Sequence, residues 1–228
     1  MRPPLDDISE RFFFALFSLT RFSLNLGFLD RPLVVGFFII LLTGQIFPTM
    51  YVAAFFELLW IDLIPAGTFI PPNAIFCVAA TMVVVEIYSL SDTSQIFPIM
   101  VMTIPVAILF SILEGKQRKA QNKNYNIILQ QSRKTAARYN PQSMINSSLI
   151  QLLLIYLTVG TAAIYGLVFI YEHLSPYLVH RDYLSWPLLL LMASISALAA
   201  LRIRKAYFSL VLGLTLVSGY LAWQIFLA

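Results

Sequence analysis

The chain has 228 residues, of which 59% are hydrophobic and only 11% are charged. Soluble domains carry about 25% charged residues, so this composition excludes an ordinary soluble domain. It predicts an all-α integral membrane protein, a multi-span helical bundle with broken or re-entrant helices. Roughly six to eight spans of about 20 residues would use most of the chain and leave no room for a separate soluble catalytic domain. We therefore expect a single membrane domain over residues 1–228.

The net charge of +4 is informative mainly through the positions of the basic residues. Seven of the 15 basic residues fall in one segment: Lys116, Arg118, Lys119, Lys123, Arg133, Lys134 and Arg138. A second cluster lies between two apolar runs: Arg202, Arg204 and Lys205. Short basic loops are typical of the cytoplasmic side of membrane proteins, so we favour topology and contact with anionic lipid over a nucleic-acid site.

The N-terminal run from Phe12 to Phe28 is apolar at its ends but polar near its centre. Its central polar residues are Arg21, Ser23 and Asn25. Such groups are costly in a lipid-facing helix, so we expect this run to pack inside the protein or to re-enter the membrane. Acidic residues precede it and no small-residue cleavage site follows, so we expect no cleaved signal peptide.

The next run, Leu33 to Trp60, is interrupted by Gly44, Gln45 and Pro48. These residues predict two short helices in place of one long helix. Discontinuous helices of this kind form substrate sites in many membrane transporters.

The segment from Phe55 to Asn73, FFELLWIDLIPAGTFIPPN, is the strongest functional signal. An ionisable side chain within a membrane span costs about 3 kcal/mol on insertion scales, so Glu57 is expected to face a water-filled cleft, a partner or a substrate. Asp62 is either functional or a solvated residue at a helix end. Four residues predict a broken helix with backbone groups that need polar partners: Pro65, Gly67, Pro71 and Pro72.

Two of these polar residues have alternative interpretations. Glu57 is either a ligand for sugar or proton, or a structural ion-pair partner of Arg31 or Arg21. Both alternatives predict burial. Asn73 can cap the helix that begins at Ala74, bind a substrate, or do both.

Two further apolar runs, Asn73 to Ile87 and Ile96 to Leu113, are joined by a polar turn, Tyr88 to Gln95, that lacks Lys and Arg and should be external. The basic segment from Glu114 to Ser147 follows and is expected to be a cytoplasmic loop. Its middle, Tyr125 to Tyr139, contains helix formers and predicts a helix lying along the cytoplasmic surface.

Three apolar runs complete the chain: Leu149 to Tyr171, Trp186 to Leu201 and Ala206 to Leu227. Their alternation puts both basic clusters on the same side, as the positive-inside rule requires. The expected domain thus has N-terminal spans with the site region (12–113), a basic cytoplasmic loop (114–147) and three C-terminal spans (148–228).

The remaining reactive residue types give no catalytic or metal-binding pattern. Cys77, the single cysteine, lies in an apolar run and is expected to be a small core residue. His173 and His180 are too far apart for a helical metal pair and are expected in an external loop. The sequence has no P-loop, no nucleophile elbow and no HExxH motif. We therefore expect no catalytic residue, metal or cofactor.

Several short motifs together resemble a known family. They are Arg31-Pro32-Leu33-Val34, Gly44, Phe56-Glu57-Leu58-Leu59-Trp60 and Pro65 to Asn73. Their order and spacing resemble the membrane subunit IIC of the mannose/sorbose family of the bacterial phosphotransferase system (PTS). Ile104-Pro105-Val106-Ala107 is similar to the family's stretch before its cytoplasmic loop.

The resemblance implies a multi-pass sugar permease of the bacterial cytoplasmic (inner) membrane, and not an enzyme. It implies a membrane partner, IID, and soluble IIA and IIB proteins that carry phosphate on histidines and phosphorylate the sugar. We also expect the chain to form an oligomer and to bind no nucleic acid. The family's sugar-contacting carboxylates correspond to Glu57 and Asn73. The candidate site is completed by Trp60 or Phe69 as a stacking aromatic, and by Asp62, Gly67 and Thr68.

The sequence departs from the family pattern at three of these positions. Asn73 stands in place of an aspartate, Thr68 in place of a glycine, and Asp62 where a small residue is more common. Two functions follow as hypotheses: a sugar permease, or a degenerate, non-transporting structural or regulatory subunit that keeps the fold. Sugar uptake with and without Glu57→Ala would separate them.

Overall fold

The computed structural model describes residues 31–63, 69–134, 141–177 and 184–201, together with 207–209, 211–213 and 215. Side chains are described in these ranges outside 123–134, 141–145 and 200–201. The main elements are α1 (Pro32–Thr43), α2 (Ile46–Leu59), α3 (Ala74–Tyr88), α4 (Thr93–Lys134), α5 (Pro141–Leu174) and α6 (Trp186–Leu201), with a 3₁₀ turn at Ser175–Tyr177. The described ranges contain no β-strand, which confirms the all-α fold class.

Helices α1 and α2 form a tight antiparallel hairpin. α1 ends at Thr43 and is capped by Gly44, whose φ of 72° is left-handed and whose amide donates to the Ile40 carbonyl at 2.7 Å. The helices approach closely because Gly36 has no Cβ; an added one would lie 2.7 Å from Ala53 Cβ. With 12 and 14 residues, α1 and α2 are about 18 and 21 Å long, shorter than the roughly 30 Å hydrocarbon core of a bilayer. The predicted pair of short helices within Leu33 to Trp60 is confirmed.

Helix α3 is the centre of the bundle. Every residue from 75 to 85 is buried, because α3 packs against α1, α2, α4 and α5. An all-round apolar surface suits such a position. Cys77 is fully buried in this core, as predicted. Asn73 caps the helix with its side chain, which accepts a hydrogen bond from the Phe76 amide at 3.1 Å. The predicted cap is confirmed.

Helix α4 is 42 residues long, about 63 Å, and contains Pro98 and Pro105. It does not end at Leu113, where the apolar run ends. The basic segment from Glu114 to Ser147, expected as a cytoplasmic loop that contains a helix, is helical over 114–134 and again from 141. The helix expected over Tyr125 to Tyr139 is present over 125–134 as a continuation of α4, and its remainder lies outside the described residues. The residues after Leu113 are mostly polar, so the hydropathy falls there. None of those up to Lys134 is a proline, so the helix continues.

Helices α5 and α6 pack around this core. The 34-residue α5 lies against α4, with the rings of Phe110 and Tyr156 stacked at 5.2 Å. Helix α6 coincides with the predicted run Trp186 to Leu201 and packs on α2, where Tyr51 and Trp186 stack at 5.1 Å with an interplanar angle of 12°. Two other expected runs lie wholly or mostly outside the described residues: Phe12 to Phe28 and Ala206 to Leu227.

Among the described residues, two helical segments are long and apolar enough to cross a membrane, Thr93–Asn122 and Asn146–Tyr177. Four shorter apolar helices accompany them. The outer surface of the bundle is also apolar: Leu41, Phe47 and Phe169 are 66%, 74% and 62% exposed. Large exposed apolar surfaces are rare on soluble monomers and normal where lipid or another membrane protein covers them.

Candidate functional site

The relative depths of residues on α2 and α3 follow from a contact between the tip of the α1–α2 hairpin and one end of α3. At the tip, Gln45 Nε2 donates a hydrogen bond to the Glu86 carboxylate near the end of α3. From Gln45 along α2 to Glu57 is about 18 Å, and from Glu86 back along α3 to Asn73 is about 20 Å, at about 1.5 Å per residue. Because α2 and α3 pack against each other, Glu57 and Asn73 lie at about the same level, far from the hairpin tip.

The extended segment 69–73 runs beside α4 at this level. Ile70 lies next to Gly115, and the Asn73 amide donates to the Ala107 carbonyl at 3.2 Å. Ala107 is about 21 Å along α4 from Thr93. In a bilayer that α4 crosses from Thr93, this level is about two thirds of the way through a 30 Å hydrocarbon core. Non-helical backbone at such a depth must be buried in protein or line a water-filled cavity.

Glu57 joins the end of α2 to the start of α1. Its Oε1 lies 3.1 Å from Arg31 Nη1, and its Oε2 accepts a hydrogen bond from the Leu33 amide at 3.4 Å. Arg31 supplies no side-chain cap of its own, so the carboxylate of α2 caps α1 and meets the positive end of its dipole. The structural ion pair with Arg31 is therefore present, whereas Arg21 lies outside the described residues.

The pairing does not exhaust the hydrogen-bonding capacity of Glu57. Its side chain is 14% exposed, compared with 53% for Arg31. A carboxylate has about four acceptor sites, and two are used here. Glu57 can therefore hold α1 in place and still accept hydrogen bonds from hydroxyl groups.

Asn73 is 1% exposed and only partly hydrogen-bonded. Its Oδ1 caps α3, but its Nδ2 has no hydrogen-bond partner among the described residues. A buried unsatisfied donor costs about 1–3 kcal/mol. The carboxamide therefore presents a free donor at the level where Glu57 presents free acceptor sites. No hydrogen bond in the described part of the chain joins the two side chains directly.

The other predicted site residues lie in different environments. Trp60 ends α2 and stacks on Phe56 with ring centroids 5.6 Å apart, which occupies one of its faces. Asp62 is exposed in the turn after α2, and Phe69 is also exposed. Two predicted residues lie outside the described residues: Gly67 and Thr68.

A buried carboxylate that was not singled out in the sequence lies further along α4. Glu114 is 3% exposed, pairs with Arg118 Nη2 at 2.6 Å and accepts a hydrogen bond from Tyr156 Oη at 3.0 Å. The spacing of Glu114 and Arg118, four residues apart on a helix, was a visible signal. The contribution of Tyr156 was not, because it is 42 residues away. Within the described ranges, no group of three or more His, Cys, Asp or Glu side chains could hold a metal ion.

Four of the sequence motifs are brought together in pairs by direct contacts. Arg31 and Leu33 of the Arg31–Val34 motif contact Glu57 of the Phe56–Trp60 motif, and Asn73 contacts Ala107 of the Ile104–Ala107 motif. Residues 11–201 match the family model described as "PTS system sorbose-specific iic component". No curated protein and no solved structure matches the chain. The match to the family model covers well over half of the 228 residues, so the chain belongs to the sorbose-specific IIC family, the membrane permease components of the phosphotransferase system.

Proposed function

We propose that this chain binds a sugar at the level of Glu57 and Asn73 and passes it across the membrane for phosphorylation by partner proteins. One geometric feature supports the proposal: the start of α1 contacts the end of α2, and the start of α3 lies at about the same depth when helix lengths are taken from the Gln45–Glu86 contact. Broken helices that meet near the middle of a membrane are the typical architecture of a transporter site.

The two polar side chains complement a sugar. A hydroxyl group donates one hydrogen bond and accepts others, so it pairs with the free acceptor sites of Glu57 and with the free Nδ2 donor of Asn73. The apolar face of a sugar ring packs on aromatic rings, and Trp60 or Phe69 supplies this surface. Asp62, Gly67 and Thr68 border the site in this proposal.

The proposal includes the partners and location that accompany such a subunit. The chain would lie in the bacterial inner membrane as a multi-pass protein, assemble with IID and form an oligomer. Soluble IIA and IIB proteins would carry out the phosphoryl transfer, so this chain would have no enzymatic step of its own. Family membership supports partnership with other PTS components in general.

The experiment is equilibrium binding of a panel of hexoses to the purified chain in nanodiscs. We compare Glu57→Gln with Arg31→Gln, because each removes one member of the same ion pair. Glu57→Gln should weaken binding of the preferred hexose by at least about tenfold, the effect of roughly 1.4 kcal/mol lost from charge-assisted hydrogen bonds. Arg31→Gln should retain binding, because the carboxylate remains.

Equal losses in the two variants would show that Glu57 acts only through its ion pair, which would contradict a ligand role. Membrane insertion and monodispersity of both variants are the controls. A substitution that prevents insertion is replaced by Glu57→Asp, which keeps the charge and shortens the side chain. In the proposal, Glu57→Asp binds hexose more weakly than wild type and more tightly than Glu57→Gln.

The alternative function is a degenerate subunit that keeps the fold without transporting. Two features favour it: the 1% exposure of Asn73 and the occupation of Glu57 by Arg31. This alternative predicts that no hexose binds to the wild-type chain. It also predicts that Glu57→Ala and wild type give the same absence of uptake in cells that carry the matched IIA, IIB and IID proteins.

A further inference from the structure

The segment from Gly115 to Ser148 is the most strongly charged part of the chain. It contains seven basic residues and no acidic residue. The carboxylate that borders it, Glu114, is buried and already paired with Arg118 and Tyr156. The positive charge of the segment is therefore not neutralised by any acidic residue within it.

The described parts of this segment, 115–134 and 141–148, are helical and belong to α4 and α5. No proline follows Pro105 in α4, and the helix extends about 30 Å past Glu114, to Lys134. α5 runs antiparallel beside it: Gln117 Nε2 donates to the Ser148 carbonyl at 3.4 Å, and Gln121 Nε2 donates to Ser148 Oγ. We call α4 from 114 to 134 and α5 from 141 to 148 the arm.

Four lysines of the arm share one face of α4. At about 100° per residue, positions 116, 119, 123 and 134 fall within an arc of about 60°. The residues of α4 that contact α5 lie on the opposite side: Phe110, Glu114, Gln117 and Gln121. Lys116 and Lys119 are exposed. We call the set Lys116, Lys119, Lys123 and Lys134 the lysine stripe.

The lysine stripe is longer than the distance over which the electrostatic potential of the membrane surface acts. Lys123 lies about 14 Å and Lys134 about 30 Å along α4 from Glu114, where the apolar part of the helix ends. The electrostatic field of anionic lipids decays with a Debye length of about 8 Å at physiological salt. With α4 continuing along the membrane normal, lipid headgroups therefore account for Lys116 and Lys119 but not for the distal lysines.

We infer that the lysine stripe is a docking surface for a soluble protein with an acidic face. This inference rests on the proposed function in naming that protein as a phosphocarrier, whose transferable phosphoryl group adds negative charge to the docking face. A row of like charges attracts an oppositely charged partner from solution and raises its association rate. Fast association suits a carrier that must bind and dissociate repeatedly.

The test measures binding of the soluble IIB phosphocarrier of the same system to the full chain in phosphatidylcholine nanodiscs. Lys123→Gln/Lys134→Gln should weaken binding by about tenfold at about 50 mM NaCl, with a smaller difference at about 300 mM. The matched control is Arg202→Gln/Arg204→Gln, which removes the same charge from the other basic cluster. It should bind IIB within about twofold of wild type.

Several outcomes would overturn the inference. One is unchanged IIB binding by the double lysine variant; another is an equal loss in the arginine control. A third uses phosphatidylglycerol nanodiscs without IIB: if the lysine variant loses thermal stabilisation by anionic lipid yet still binds IIB normally, the stripe is a lipid site. Circular dichroism and gel filtration confirm that each variant is folded.

Hexose binding separates this inference from the proposed function. Lys123→Gln/Lys134→Gln should bind hexose as wild type does, while Glu57→Gln should lose hexose and still bind IIB. Failure of hexose binding in the wild-type chain, with IIB docking still sensitive to the lysines, would reject the sugar site and leave the docking surface standing.

Discussion

The hairpin region of α1, α2 and α3 differs from the α4–α5 pair in the length of its helices and in the surroundings of its polar side chains. In the hairpin region the helices are short, and their ends meet at one level with Glu57 and Asn73 only partly hydrogen-bonded. In the α4–α5 pair the helices are long, and the buried carboxylate of Glu114 is bound by Arg118 and Tyr156. Glu57 and Glu114 each accept from two partners, but the side chain of Glu57 is 14% exposed and that of Glu114 is 2% exposed, so only the carboxylate of Glu57 is accessible to a ligand. In our proposal, the short helices therefore carry the sugar site and the long ones support it.

The largest expected change in stability comes from removing the buried carboxylate of the α4–α5 pair. Glu114→Ala leaves Arg118 and Tyr156 without their shared partner and should lower the free energy of unfolding by about 3 kcal/mol. The measurement is denaturant unfolding of the purified chain in detergent. The matched control is Glu172→Ala, an exposed glutamate of α5, which should change stability by less than about 0.5 kcal/mol. Similarly small losses of stability in the two variants would show that the contacts of Glu114 do not stabilise the fold.

A pair of glycines compares the packing of the two regions. Gly36→Ala puts a methyl group 2.7 Å from Ala53 Cβ in the α1–α2 hairpin and should destabilise the protein by about 1–3 kcal/mol. Gly166→Ala in α5 meets no atom of the described residues within 4 Å and should stabilise its helix by about 0.5–1 kcal/mol. Thermal unfolding of the two variants side by side gives the sign of each effect. A stabilised Gly36→Ala would mean that the hairpin helices are not in close contact.

The same comparison explains which features were predictable from sequence. The break at Gly44 and the cap at Asn73 depend on local chemistry, so both were predicted correctly. The continuity of α4 between Leu113 and Tyr125 was not predicted, because hydropathy reports where a helix leaves an apolar environment, not where it stops. The common level of Glu57 and Asn73 depends on the contact between Gln45 and Glu86, 41 residues apart, which no local pattern reveals.

Asn73 offers the smallest and most selective test, because its two side-chain atoms have different roles. Asn73→Asp keeps an oxygen to cap α3 but buries a charge that the N-terminus of α3 only partly compensates, and Asn73→Ala loses the cap, so each should cost about 1–2 kcal/mol. Only the Nδ2 donor is lost in both variants, so both should lose hexose affinity if that donor binds a hydroxyl. Stability from thermal unfolding and affinity from hexose titration would be measured on the same preparations. Retained affinity in Asn73→Ala would limit Asn73 to its capping role and leave Glu57 as the polar ligand of the site.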